Sequence, residues 1–416
     1  MMPVTYAKAA INLGDRILSW EDDQIKEAKI TEEIDESLSA LPASVVSLTI
    51  LDPNDEFNLA NTSGMWKELR VNQPVTVSEY KDGNLIDFGT FYLKEWSFDS
   101  NEAKFECQDV IGLLDSFVFL DGKIYSSIRA KDIVDEIMSA AGITGYSIDA
   151  DIADIRLSGH LKIQSCRSAL REVCAAVGAV AERTQEGSIR IHTPMRHITS
   201  YIKPERKIMG KTKVSHDSYV SGIKISFSAY AYDNSETKAY TGTLTKGKHR
   251  IEFSQPFAPG LTASGCSIEE EHTNYAVVNV NSETECIITG HQYKATSSSM
   301  LYQTQESSQG EKGETKNYSF SLINSTLCER IARQLLSFYG LRQKVELSYF
   351  PETERIGGWV GIQDVKGYMS ATLIYEQTID LAGGYIAQAK CRGYNKVMTE
   401  AYFMPDDIKT KENIII

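Results

Sequence analysis

A diverged match between the first quarter of the chain and the last restricts its fold more than any other feature of the sequence. Near the start, Gln73-Pro74-Val75-Thr76-Val77 leads through a glycine turn to Phe91-Tyr92-Leu93-Lys94-Glu95-Trp96-Ser97-Phe98-Asp99, then to Lys104-Phe105-Glu106-Cys107. Near the end, Gly358-Trp359-Val360-Gly361-Ile362 leads through another glycine turn to Thr372-Leu373-Ile374-Tyr375-Glu376-Gln377-Thr378-Ile379-Asp380, then to Ile386-Ala387-Gln388-Ala389-Lys390-Cys391. Glu95 aligns with Glu376, Phe98 with Ile379 and Asp99 with Asp380. After a small turn insertion, Cys107 aligns with Cys391. A one-residue slip would turn every side chain of a strand to its other face, so inward positions that match inward positions specify the same strands. The match predicts two related small antiparallel β-barrels, separated by about 280 residues.

Most of the remaining sequence also alternates with period two, as strands with one buried and one wet face do. Val46, Leu48 and Ile50 alternate with Ser47 and Thr49, and Ile189 and Ile191 with Arg190 and His192. Over 223–232, Ile223, Ile225, Phe227, Ala229 and Ala231 share one face. Three segments have helical spacing instead. Ala130 to Ala141 stops at Gly142, Cys166 to Val177 lies between Ser165 and Gly178, and Ser325 to Tyr339 lies between Asn324 and Gly340. At about 150 residues per domain, 416 residues suggest roughly three domains, with two to four allowed. The predicted fold is mainly β with α+β inserts: the two barrels plus intervening β and α/β modules. The predicted divisions are a barrel over 1–120, a small α/β insert over 121–200, a middle β domain over 201–320, and a helix with the second barrel over 321–416. Residues 297–316 read as an exposed polar loop and 202–209 as a passage between domains. The tail's Ile414-Ile415-Ile416 either docks on a partner or frays.

Composition narrows the function. No stretch approaches the roughly 18 to 20 apolar residues of a membrane helix, and the start of the chain lacks the apolar core of a secretory signal. A net charge of −13 argues against holding phosphate backbones, which needs clustered Lys and Arg. Seven cysteines lie far apart without a C-x-x-C pair, which fits reduced, buried thiols.

Gly265-Cys266-Ser267-Ile268-Glu269 begins like a nucleophile elbow but has Glu269 where the second glycine belongs. His216-Asp217-Ser218 holds the residue types of a triad, yet neighbours on a strand point to alternate faces. Asp149, Asp151 and Asp154 lack the glycine and closing glutamate of a calcium loop. Glu269-Glu270-Glu271-His272 has no companion zinc ligands. Gly310-Glu311-Lys312-Gly313 is a polar loop rather than a phosphate loop. No catalytic, cofactor-binding or metal site is expected, and no cofactor. Trp66, Trp96 and Trp359 fall at strand positions and read as core rather than as a binding platform.

In the order of its parts the chain resembles the baseplate and tail-tip hub proteins of bacteriophages and phage-derived injection particles. The closest stretch runs from Gly89-Thr90-Phe91-Tyr92-Leu93 through Cys107-Gln108-Asp109-Val110-Ile111-Gly112-Leu113-Leu114-Asp115. Helix, helix-hairpin and a late barrel beginning near Ile356-Gly357-Gly358 follow in the same order. The resemblance implies a non-enzymatic virion tail protein, assembled in the host cytoplasm. It implies a homotrimer whose six related modules adapt a sixfold tail tube to a threefold spike or fibre and line the DNA channel. Implied neighbours are the tail tube or distal tail protein, the spike or fibre, and the tape-measure protein. DNA would pass without specific binding, and no membrane insertion is implied. The other classes open to such a sequence are a β-rich carbohydrate-active hydrolase and a carbohydrate-binding or adhesin module.

Overall fold

The computed structural model describes residues 5–81, 83–99, 101–194, 197–304, 313–394 and, as backbone, 408–415. Its centre is one sheet of thirteen strands. In chain order these are β1 (Thr5–Asn12), β2 (Ile17–Glu21), β3 (Ile25–Glu33), β4 (Val45–Leu51), β5 (Pro74–Lys81), β6 (Asn84–Asp99) and β7 (Glu102–Gln108). They continue with β8 (Ile198–Ile202), β9 (Lys213–His216), β10 (Gln343–Tyr349), β11 (Trp359–Gln363), β12 (Met369–Asp380) and β13 (Ile386–Gly393). Across the sheet the order is β9-β10-β13-β12-β3-β4-β7-β6-β5-β1-β2, with β11 on β12 and β8 on β11.

The internal match is a structural repeat. Leu93 faces Cys107 and Ile374 faces Cys391. Each pair is followed by a one-residue bulge, at Lys94 and Tyr375, after which Glu95 faces Glu106 and Glu376 faces Lys390. Val75 pairs with Phe91 and Val360 with Thr372, while Val46 pairs with Cys107 and Val345 with Cys391. The strand order β3-β4-β7-β6-β5-β1 thus recurs as β9-β10-β13-β12-β11-β8. The copies differ at their last strand, since β1 runs antiparallel to β5 and β8 parallel to β11. A shared bulge matters because it fixes register and bends both hairpins alike.

The chain is mainly β with α+β inserts, as the alternation predicts. Among the described residues no pairing closes either repeat into a barrel. The two join edge to edge where β3 pairs with β12. They also share one core, in which Ile30, Leu48, Val75 and Phe105 pack with Val345, Leu347, Val360 and Ile379.

The three expected helices form at the expected places: α1 (Ala130–Ala141), α2 (Cys166–Val177) and α3 (Ser325–Gly340). Gly142 and Gly178 end the first two in the left-handed conformation, at φ +66° and +67°. Ser165 caps α2 by accepting from the Ser168 N–H, and Asn324 caps α3 by accepting from the Thr326 N–H. The helices pack together in a second core with Ile223, Ile225 and Tyr302. Arg183 ties this body to the sheet. Its guanidinium donates to the Phe88 carbonyl at 2.6 Å, lies 4.5 Å from the Phe91 ring centre and reaches Glu32 at 3.5 Å.

Two sequence expectations fail in this middle region. The alternation over 223–232 continues as a 25-residue strand, Val220–Leu244, but Ala229 and Ala231 are exposed. Beyond Phe227 the strand leaves the helical core and forms a ribbon with Thr284–Thr304, ending in a small third core around Ile251, Val278 and Ile288. Of the stretch read as a loop, 297–316, residues 305–312 lie outside the described residues, while 297–304 and 314–316 are strand. Ser297–Thr304 completes the ribbon, and Glu314–Ser319 runs parallel to Val220–Leu244. Such a strand is held by its backbone ladder, so its serines give no apolar alternation to read. Gly310, Glu311 and Lys312 lie outside the described residues. In the tail, the backbone of Ile408–Ile415 pairs antiparallel with Thr284–Thr304, and Ile416 lies outside the described residues.

Residues 202–209, read as a passage between domains, link β8 to β9 of the same sheet, and an ion pair to the buried Glu354 fixes them. Arg206 donates to both oxygens of Glu354, at 2.9 and 2.7 Å, and to the Phe350 carbonyl.

Candidate functional site

Each side-chain cluster that could have carried chemistry is occupied by its own structural partner. Asp149 pairs with Arg190 at 3.0 Å, Asp151 accepts from Thr193 at 2.7 Å, and Asp154 lies 3.6 Å from Arg129. The three carboxylates therefore do not converge, and among the described residues no His, Cys, Asp and Glu cluster could hold a metal ion. Asp217 is bound by Lys344 and Arg392, while Ser218 donates to Glu314, so Asp217 and Ser218 serve separate partners. Cys266 sits beside Cys286 and burial pushes its thiol up to about 11, which disfavours the reactive thiolate. Ser267 starts the strand Ser267–Glu271 with its side chain exposed.

A cavity of about 700 Å³ is lined in part by Asp121, Glu136, Glu271 and His272. Glu136 accepts from Lys123 at 2.9 Å and Tyr125 at 2.8 Å, Glu271 accepts from the Leu261 N–H at 2.9 Å, and His272 stacks on Tyr275 at 4.2 Å. Glu269 is held by Lys248 and Glu270 lies 3.8 Å from His272. No exposed aromatic platform is formed by the three tryptophans. Trp359 is buried, Trp96 is half-buried on the sheet's core, and the half-buried Trp66 donates to the Asn61 carbonyl.

The feature that stands out is the sheet's polar side and its edges. Alternation on β3, β4, β6, β7 and β12 sends apolar residues into the core and Glu27, Lys29, Ser97, Lys104, Glu106 and Asp380 outward. Five adjoining strands curve around a shallow groove of about 620 Å³. Its wall is laced with ion pairs: Lys29 with Glu27 at 2.5 Å, Lys26 with Glu102, and Lys104 with the neighbouring Glu106 at 3.2 Å. Such exposed pairs add little stability each, so the wall is a charged, wetted surface rather than a clamp. The same pattern continues past the seam between repeats, where Lys390 holds Glu376 at 2.7 Å.

Within that seam, Asp380 faces Lys29, Ile379 faces Ile30 and Thr378 faces Thr31. The two threonine hydroxyls lie 3.2 Å apart. The sequence match singled out Asp380, Ile379 and Glu376, but it missed their partner β3. The bulge at Lys26 breaks that strand's alternation, which left Ala28 and Ile30 as its only regular signal.

No protein-family model matches the chain, and neither does any curated protein. Solved structures do. The tail protein from Neisseria meningitidis MC58 superposes with a TM-score of 0.55 at 10% identity, over 93% of this chain and 96% of that one. The 43 kDa tail protein of prophage MuSo2 from Shewanella oneidensis gives 0.54 at 12%, over 92% and 98%. Prophage tail protein gp18 from Listeria monocytogenes EGD-e gives 0.51 at 10%, over 94% and 95%. The chain has the fold of these phage tail proteins along nearly its whole length.

Proposed function

We propose that the protein is a structural component of a phage or phage-like tail, the hub of its tip or baseplate. The observation that carries this reading is the repeat: two six-strand modules with a shared register and bulge, joined in one sheet. A subunit built that way is suited to bridge symmetries, because three copies present six similar modules. The fold shared with phage tail proteins supports the same reading. The hub is a homotrimer that joins a sixfold tube to a threefold spike or fibre, with tape-measure protein and DNA passing through its centre. Its polar, concave sheet side lines the channel. The groove there carries Lys26, Lys29 and Lys104 against Glu27, Asp99, Glu102 and Asp380. With each lysine beside a carboxylate and a net charge of −13, that wall does not retain a polyanion. A structural role of this kind asks no catalysis of the chain, and Asp149, Asp151, Asp217 and Glu136 are each engaged in ion pairs or hydrogen bonds.

Light scattering over a concentration series, followed by averaging of negatively stained particles, tests this. A particle of three times 46.4 kDa with a central pore and six lobes is expected. A chain that stays monomeric, with no ring even beside tube protein, sinks the hub reading and favours a carbohydrate-binding module.

A further inference from the structure

The two modules of one chain meet through a strand pairing that each could make only once. In the last five residues of β12, one side carries β13 and the other carries β3. The equivalent stretch of β6, from Glu95 to Asp99, carries β7 on one side. Among the described residues no strand covers its other side. Conversely, the equivalent of β3 in the second module is β9, which carries β10 on one side and no described strand on the other. Among the described residues, every chain therefore presents both halves of its own internal seam at two separate edges, with no strand against them.

The register of the missing contact follows from the repeat. Ile30 pairs with Val46 and Val214 with Val345, and Val46 and Val345 face the equivalent Cys107 and Cys391. Val214 thus stands where Ile30 does, Lys213 where Lys29 does, and Ser215 where Thr31 does. On the other edge Asp99, Phe98 and Ser97 stand where Asp380, Ile379 and Thr378 do. We propose that β9 of one copy adds antiparallel to β6 of a second copy, placing Lys213 opposite Asp99, Val214 opposite Phe98 and Ser215 opposite Ser97.

Three features of the edges point to a second copy as the occupant. The charges are complementary in the same sense as Lys29 and Asp380. The central pair is apolar on both sides: Ile30 and Ile379 are 0 % and 2 % exposed in the filled seam, while Val214 is 54 % exposed at the open edge. The outer pair is two small hydroxyl side chains, as at Thr31 and Thr378. Neither edge carries a proline, a common device for keeping an edge strand single. The contact is heterologous, so it repeats from copy to copy and forms a ring if the rotation closes. Internal and external seams then alternate around three copies. This inference rests on the trimeric reading above and specifies how the subunits join.

The test is a short bis-maleimide applied to the full chain carrying both Ser97→Cys and Ser215→Cys, with each single variant as control for the native thiols. Covalent dimers and trimers are expected from the double variant alone. Asp99→Lys or Lys213→Asp is expected to raise the concentration for half-assembly about tenfold, and the double reversal to restore it. Circular dichroism checks that each variant folds. A trimer by mass that neither cross-links at these positions nor responds to the reversals overturns this interface while leaving the hub reading intact. A chain that stays monomeric at every concentration and beside tube protein, without cross-links, overturns both. A ladder extending past trimer keeps the strand pairing and overturns ring closure.

Discussion

Two residues show how narrowly single positions are fitted. Glu79 lies on β5 with its side chain fully buried, and neither of its carboxylate oxygens has a hydrogen-bond partner. Burial pushes its carboxyl up to about 8, with Lys81 opposing and Asp380 adding to the shift. The folded chain therefore keeps a proton that the unfolded chain releases above the ordinary carboxylate range. The stability linked to that proton is fully present below the unfolded value and is lost as pH rises through about 8. Glu79→Gln should remove up to ~1.4 kcal/mol per pH unit of slope across that window, as read by urea melts at a series of pH values. Gly159 is constrained by space rather than charge. A Cβ there would lie 1.8 Å from the Ser321 carbonyl oxygen, where the strand Arg156–His160 crosses the segment before α3. Gly159→Ala should cost about 2–4 kcal/mol in thermal or urea unfolding.

Elements are fixed by their ends and bulges as much as by their faces. Asn324 and Ser165 each satisfy an N–H that the helix itself leaves unpaired. Asn324→Ala and Ser165→Ala should each lower unfolding stability by about 1 kcal/mol, and replacement by Asp should recover most of it. At the level of strands, the paired bulges after Leu93 and Ile374 keep two hairpins superposable although few of their residues are identical. The inward set keeps its apolar character, because that set determines register. On the outward side Glu95 and Asp99 recur as Glu376 and Asp380, while other positions change type and need only remain wet.

Across the whole molecule, the seam between β3 and β12 makes the first and last quarters one folding unit. Leu48 and Leu347 belong to the same core, although about 300 residues separate them. Leu48→Ala and Leu347→Ala should therefore shift the same unfolding transition, each by about 2–5 kcal/mol. Intrinsic fluorescence and circular dichroism should still coincide through that transition. Two separate transitions would mean that the modules fold independently. The third core is a separate cluster from this one, and no comparable coupling to Ile251 or Val278 is expected.

The sequence by itself determined everything that depends on neighbours along the chain or on a repeated pattern. The helix limits follow from Ser165, Gly178, Asn324 and Gly142, and the hairpins from strict alternation between glycine turns. The kinship of the two strand sets follows from matching inward residues. Only the tertiary structure decided what those strands pair with next. Nothing near Ile30 in the chain indicates that its partner is Ile379, because edge pairing is made by backbone groups that every residue carries. For the same reason the serine-rich end of the ribbon reads as a loop until its ladder to 220–244 is seen. Contacts also sort residues that composition cannot: alternation denies Asp217 a place in a triad, and three dimensions make it the anchor of Lys344 and Arg392. The open edges at Glu95–Asp99 and Lys213–His216 are legible only against the filled seam they copy.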